Sequence, residues 1–161
     1  MKYLITIILI TVFNISAMAL EIKTEIIINA TPEKVWKILT NFRAYPNWNP
    51  FIKSIEGQVT IGEKIIARIE PPEAKGMTFK PKILTVVKNR ELSWLGHLLF
   101  PGLFDGKHKF ELIDNGNGTT TFIQSEKFKG ILVPFFKKQL KNNTKNGFIE
   151  MNKKLKEIAE K

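Results

Sequence analysis

The chain has no cysteine and two histidines, and only Arg43, Arg68 and Arg90 among its 25 basic residues are arginine. Without cysteine there is no disulfide framework, no thiolate nucleophile and no thiolate-held zinc or iron–sulfur centre. His97 and His108 alone leave little for a histidine-based metal site, so neither metal nor other cofactor is expected. The shortage of arginine weighs against nucleic acid as a partner. Lysine is a hydrated point charge, poorer than arginine at paired contacts to phosphates and base edges. The apolar run Leu4 to Phe13 also falls short of the roughly 20 residues that a membrane-spanning helix needs, because Asn14 and Ser16 interrupt it.

The composition that remains is that of one folded domain. The chain has 161 residues, 43% of them hydrophobic and 25% charged, which is globular rather than disordered. The first nineteen residues stand apart. Lys2, the apolar run and the small residues of Ala17-Met18-Ala19 make the pattern of a secretory signal cleaved after Ala19. The alternative is an N-terminal membrane anchor. No cysteine follows the cleavage point, which excludes a lipid-anchored lipoprotein. An exported domain without disulfides fits a bacterial periplasm better than a eukaryotic secretory route.

Residues 20–161 should form the domain. Leu20 to Ala30 alternate and then turn continuously apolar, as a strand does. Thr31 is suited to cap a helix and Pro32 to begin it, with Val35, Trp36, Ile38 and Leu39 as its buried stripe. A second short, turn-rich helical segment runs from Phe42 to Pro50. From Phe51 to Phe128 the spacing predicts about six strands, with turns at 61–63, 71–76, 89–90, 100–102 and 115–118. Beyond Gly130, Phe136, Leu140, Thr144, Phe148, Met151, Leu155 and Ile158 recur at intervals of three and four and mark one face of a long helix. The expected class is α+β: a strand, two short helices, an antiparallel meander that brings the strands to about seven, and a long C-terminal helix.

Three stretches carry a family resemblance. They are Thr31 to Trp36 running into Tyr45 to Phe51, then Gly106 to Leu112 with Gly118 to Thr121 and Gln124 to Gly130, and last Gly147 to Lys156. In this order and spacing they resemble the SRPBCC superfamily (START/Bet v1-like, helix-grip), in its polyketide cyclase/dehydrase-like branch. The resemblance implies a curved antiparallel sheet gripping the C-terminal helix, with an apolar cavity between them. Members of the family range from lipid and hormone carriers to cyclases. Such motifs are structural and specify function poorly.

Strand alternation assigns the inward face without the family. His108, Phe110 and Leu112 share one face. A hairpin closed at 115–118 sets His108 opposite Gln124, Phe110 opposite Phe122 and Leu112 opposite Thr120, with Glu126 one pleat further along. Leu92, Trp94 and Leu98 share a face; Ile65, Ala67 and Ile69 make another, and Phe79, Ile83 and Val87 a third. The candidate cavity lining is therefore Phe79, Ile83, Trp94, His108, Phe110, Phe122, Gln124 and Glu126 from the sheet, and Phe136, Leu140, Thr144, Phe148 and Met151 from the helix. An apolar wall with a few convergent polar groups is the usual form of a small-molecule site. A buried His–Gln pair is nevertheless more often a satisfied core hydrogen bond than a ligand contact. Trp36 and Trp48 read as packing residues, and Trp94, from mid-sheet, as the better ligand contact.

No catalytic constellation stands out. The chain has no Gly-x-Ser-x-Gly elbow, phosphate loop or dinucleotide fingerprint, and its carboxylate pairs (Glu21/Glu25, Glu70/Glu73, Glu157/Glu160) fall at edges or on helix surfaces. The leading expectation is a monomeric carrier or sensor of a hydrophobic small molecule. A cyclase- or dehydratase-like enzyme using His108 with Gln124 or Glu126 is second, and no catalytic residue is assigned. A third is an adaptor at a membrane surface or a protein partner. Residues 127–161 hold ten lysines against three glutamates, so the charge concentrates on the last helix and could meet anionic headgroups.

Overall fold

The computed structural model describes residues 19–161. The expected export signal thus lies, apart from Ala19, outside the described residues. The order of elements is β1 (Leu20–Ile28), α1 (Pro32–Thr40), α2 (Tyr45–Trp48), then seven strands and a C-terminal helical stretch. The strands are β2 (Ile52–Glu56), β3 (Ile66–Ile69), β4 (Met77–Phe79), β5 (Lys82–Val87), β6 (Glu91–His97), β7 (Asp105–Asp114) and β8 (Thr120–Lys129). The helical stretch comprises α3 (Val133–Gln139), a π-helical turn (Leu140–Thr144) and α4 (Lys145–Ala159). No helix among the described residues is long and apolar enough to cross a membrane.

All strand pairs are antiparallel, in two sets ordered β1-β8-β7-β6-β5 and β2-β3-β4. Backbone bonds from Gly62 to Ile83 and from Ile65 to Pro81, both 2.9 Å, join them at the β5 edge. Among the described residues eight strands form, one more than expected, because Pro81 divides the stretch after the expected 71–76 turn into β4 and β5. Proline has no N–H to give a ladder, so a strand ends or restarts there.

The local chemistry follows the sequence at α1. The Thr31 hydroxyl accepts the Lys34 N–H at 3.4 Å, Pro32 takes the first turn, and Val35, Trp36 and Leu39 are buried. Tyr45 is fully buried and its hydroxyl donates to the Leu39 carbonyl at 2.8 Å, satisfying a group at the end of α1. Burial pushes that phenol far above its ordinary pKa.

Two registers differ from expectation. The β7–β8 hairpin pairs Asp114 with Thr120, His108 with Glu126, Phe110 with Gln124 and Leu112 with Phe122. The loop runs from Asn115 to Thr119 and uses positive φ at Gly116 and Gly118 (74° and 82°), closed by the Asn115 N–H on the Thr119 carbonyl at 3.1 Å. It is longer than expected, which moves the pairing by two residues. A strand repeats every two residues, so every side chain keeps its face. In β5 a bulge between Ile83 and Thr85 does change the faces. Ile83 and then Val86 turn to the core, and Val87 is left 46% exposed.

The C-terminal stretch crosses the concave face. Phe148, Met151 and Leu155 of α4 are buried, each worth about 1.5–3 kcal/mol. The stripe ends on Ala159, which is buried, rather than on Ile158, which is only partly covered. Polar contacts tie α4 to β1. Asn152 donates to the Thr24 hydroxyl at 3.0 Å, and Lys156 to the Ile27 carbonyl at 2.7 Å. The Glu160 carboxylate accepts the Asn29 N–H at 2.7 Å; that bond, and then Lys156, hold its pKa below the usual range.

The helix comes close to the residue that leads into β2 at Gly147. A β-carbon there would collide with the Phe51 ring, whose edge also meets Phe148 at a centroid distance of 5.4 Å. Gly147→Ala should therefore destabilise the fold by about 1–3 kcal/mol in chemical denaturation, the usual range for overpacking. Adding Phe51→Leu to it should recover part of the loss. An unchanged midpoint for Gly147→Ala would contradict this packing.

Candidate functional site

One half of the space between sheet and helix is filled and the other is open. Phe110, Phe122, Phe148 and Met151 fill the first, all with 1% exposure or less. The second holds a cavity of about 260 Å³. Its wall comes from β6 (Trp94, Gly96, His97), β7 and the loop before it (Leu98, Phe104, Gly106), β8 (Glu126, Phe128), β3 and β4 (Ile69, Met77, Phe79), Phe51, Pro81, and the 71–75 loop. Phe136, Gln139, Leu140, Asn143 and Thr144 close it from the helical side. An apolar cavity of roughly 150 Å³ already holds benzene, so this one has room for a larger ring system or a short acyl chain.

The helical side is shaped by the π turn. Phe136, Leu140, Thr144 and Phe148 follow one another at intervals of four. On a regular α-helix that spacing drifts by about 40° per step. The wider i→i+5 turn absorbs the drift and keeps Leu140 and Thr144 toward the sheet. Asn142, Asn143 and Thr144 are weak α-helix formers, so the regular helix gives way at this point.

Polar groups are few on this wall, and Glu126 is the carboxylate among them. Its Oε2 lies 3.4 Å from His108 Nδ1, and the Nε2 of Gln124 is 3.3 Å from His108 Nε2. One tautomer satisfies both contacts: Nδ1–H donates to Glu126, and Nε2 accepts from the Gln124 amide. Gln124 also donates to the Met151 sulfur at 3.4 Å, and its carbonyl oxygen has no partner among the described residues. The His108 ring is locked by aromatic neighbours. Trp94 stacks on it at 4.9 Å and 9°, and Phe110 and Phe148 meet it edge-on at 4.7 and 5.3 Å. His108 is therefore a buried support, one layer behind Glu126 as seen from the cavity.

Room for the carboxylate is made by Gly106. A β-carbon at that position would lie 2.7 Å from Glu126 Oε1 and 3.5 Å from the Phe128 ring. At the rim, Asp105 accepts from His97 Nδ1 at 2.6 Å and from the Gly102 N–H with both oxygens at 3.0 Å, which fixes the loop between β6 and β7.

Of the residues expected to line the cavity, Phe79, Trp94, Glu126, Phe136, Leu140 and Thr144 stand on its wall. Ile83, His108, Phe110, Phe122, Gln124, Phe148 and Met151 lie in the packed core beside it, all with 1% exposure or less. Alternation identifies the concave face but not which part of that face the helix covers. Sequence reasoning missed Phe51, Phe104, Phe128, Gln139 and Asn143, and put Ile69 on an apolar face without counting it in the lining. Phe128 shares its face with Gln124 and Glu126 and was within reach of the same alternation. Phe51 and Phe104 precede strands and carried no periodic signal. Trp36, buried, and Trp48, half-buried, both lie away from the cavity.

Residues 19–160 match the family described as polyketide cyclase/dehydrase and lipid transport. The chain belongs to that family. Curated proteins include none that matches. Among solved structures it is similar to the Zhui aromatase/cyclase from Streptomyces sp. R1128, at 10% identity and a TM-score of 0.72, covering 88% of this chain and 94% of that one. It is similar also to norcoclaurine synthase from Thalictrum flavum in complex with dopamine and hydroxybenzaldehyde, at 14% identity and TM-score 0.68, covering 98% and 96%. A START superfamily protein from Mycobacterium smegmatis aligns at 15% identity and TM-score 0.65, covering 86% and 98%. At these identities the likeness establishes the START/Bet v1-like helix-grip fold of this family member, and its chemistry rests on its own residues.

Gly106→Ala should force the Glu126 carboxylate away from its present position and break the contact with His108. The side-chain nitrogen spectrum of His108 in labelled protein should change while the fold persists by circular dichroism. An unaltered His108 spectrum would contradict the packing described for Glu126.

Proposed function

We propose that the protein binds and carries a small hydrophobic molecule bearing one hydrogen-bond donor. The single observation behind this reading is the cavity of about 260 Å³, apolar on nearly all sides, with the Glu126 carboxylate on its wall. Apolar surface supplies the affinity and one fixed acceptor sets the orientation, the division found in most small-molecule sites. The family supports hydrophobic ligand binding or a cyclase role in general terms. We also propose export, with residues 1–19 as a cleaved signal; the intact mass of protein made by its own host, starting at Leu20, is the check.

Catalysis is the second reading, favoured by the hydrogen bond between His108 and Glu126 at the cavity wall. A carboxylate backed by an imidazole is a reasonable general acid or base. It ranks below carriage because, among the described residues, the hydrogen-bond partner of the Glu126 side chain is His108 alone, and a carboxylate with one imidazole is not a complete set of reaction partners.

Calorimetric titration with 2-naphthol and with naphthalene tests both. The naphthol should bind about tenfold tighter or more, the value of a charge-assisted hydrogen bond. Glu126→Gln should narrow that gap, and Leu140→Trp, which fills the cavity, should abolish binding of both. Equal binding to Leu140→Trp, or no binding to the wild-type protein, would overturn the carrier reading. Turnover of a polyketide-type substrate that Glu126→Gln abolishes, with naphthalene binding intact, would put the catalytic reading first.

A further inference from the structure

Two neighbouring segments at the rim of the cavity expose large apolar side chains. Leu99 and Phe100, in the β6–β7 loop, are 85% and 57% exposed; Ile131 and Phe135, at the start of the helical stretch, are 58% and 80% exposed. Backbone bonds from Ile131 to Gly102 at 3.2 Å and from Leu132 to Leu103 at 3.1 Å hold the two segments together. Gly130 permits that approach, since a β-carbon there would lie 2.5 Å from the Leu103 carbonyl oxygen.

The loop is braced rather than loose. Asp105 grips the Gly102 N–H and His97, and the Leu98 N–H donates to the Phe104 carbonyl at 2.9 Å. Leu99 is held at φ 62°, a left-handed conformation that a leucine adopts at a cost. A strained, braced residue whose apolar side chain faces water stabilises nothing within the domain. Its advantage has to come from something outside.

Charge identifies the occupant. From Lys127 to Ile149 the chain carries six lysines and no aspartate or glutamate. Lys129, Lys138, Lys141 and Lys145 are exposed, on the same strand end and helical stretch as Ile131 and Phe135. Apolar tips set among cations fit an anionic lipid surface, where the tips enter the headgroup region and each nearby lysine adds electrostatic attraction. Phe136 follows directly and also lines the cavity, so a docked protein would bring this part of the cavity wall to the bilayer.

We propose that this rim, with Leu99, Phe100, Ile131 and Phe135 as inserting side chains, docks the protein on anionic membranes. The docking surface is independent of the carrier reading; only the delivery of cargo from lipid to cavity rests on it.

The core runs from Leu20 to Ala159, so a chain of residues 20–161 contains all of it and suits the test. Sedimentation with phosphatidylglycerol/phosphatidylcholine vesicles should show binding that falls at least tenfold in pure phosphatidylcholine or in 0.5 M salt. Leu99→Ala with Phe135→Ala should lower the partition at least tenfold, as should Lys138→Glu with Lys141→Glu. Both pairs are at exposed positions, and the first should leave calorimetric binding of 2-naphthol unchanged, which separates docking from cavity binding. Vesicle binding that ignores Leu99→Ala with Phe135→Ala, or no vesicle binding at all, would overturn the proposal. So would a wild-type dimer in solution that the same two substitutions disperse, since the patch would then join two copies of this chain.

Discussion

The seat of the Phe51 ring on the backbone of Gly147 sets where the C-terminal helix lies over the sheet. Phe51 immediately precedes β2 and Gly147 lies in the first turn of α4, so one contact ties the short sheet to the long helix. On one side of it Phe148 meets His108 of β7, Met151 accepts from Gln124 of β8, and Leu155 is buried in the same core. On the other the helix opens into the π turn, and the same ring becomes part of the cavity wall. Filled core and open site are thus two consequences of one placement. A bulkier residue at 147 would lift the helix and alter both.

The polar end of the cavity depends on a similar economy of space. Gly106 leaves the volume that the Glu126 carboxylate occupies, and the register of the β7–β8 hairpin puts His108 directly across from it. Trp94 and Phe110 hold the imidazole so that it supports the carboxylate and stays out of the cavity. A partly buried carboxyl group needs such partners, and here the protein provides one hydrogen bond and leaves the remaining acceptor capacity toward the cavity. That unspent capacity, on an otherwise apolar wall, is the chemical character of the site.

Much of this was legible in the chain. Thr31-Pro32 announced α1, the Asn-Gly pairs announced the β7–β8 turn, and the three-and-four spacing announced the C-terminal helix. These are local signals, settled within a few residues by backbone preference and apolar period. The two-residue error in hairpin register did no harm to the faces, because pleat parity survives an even shift. The bulge at Leu84 did, because it adds one residue and no local signal marks it. The separation of cavity from core was not legible either. Phe110 and Trp94 have the same parity and similar character, and only the path of the helix decides that one is packed and the other lines the opening. Even so, the run of four-residue intervals from Phe136 to Phe148 held a trace of that path, since an ordinary α-helix would not keep it on one face.

Native mass spectrometry of the protein purified from its own host tests the central claim most directly. A small apolar molecule should be carried non-covalently by the wild-type chain and be absent from the Leu140→Trp variant. A wild-type protein that flies empty, or a molecule retained equally by Leu140→Trp, would contradict a cavity built to hold a hydrophobic ligand.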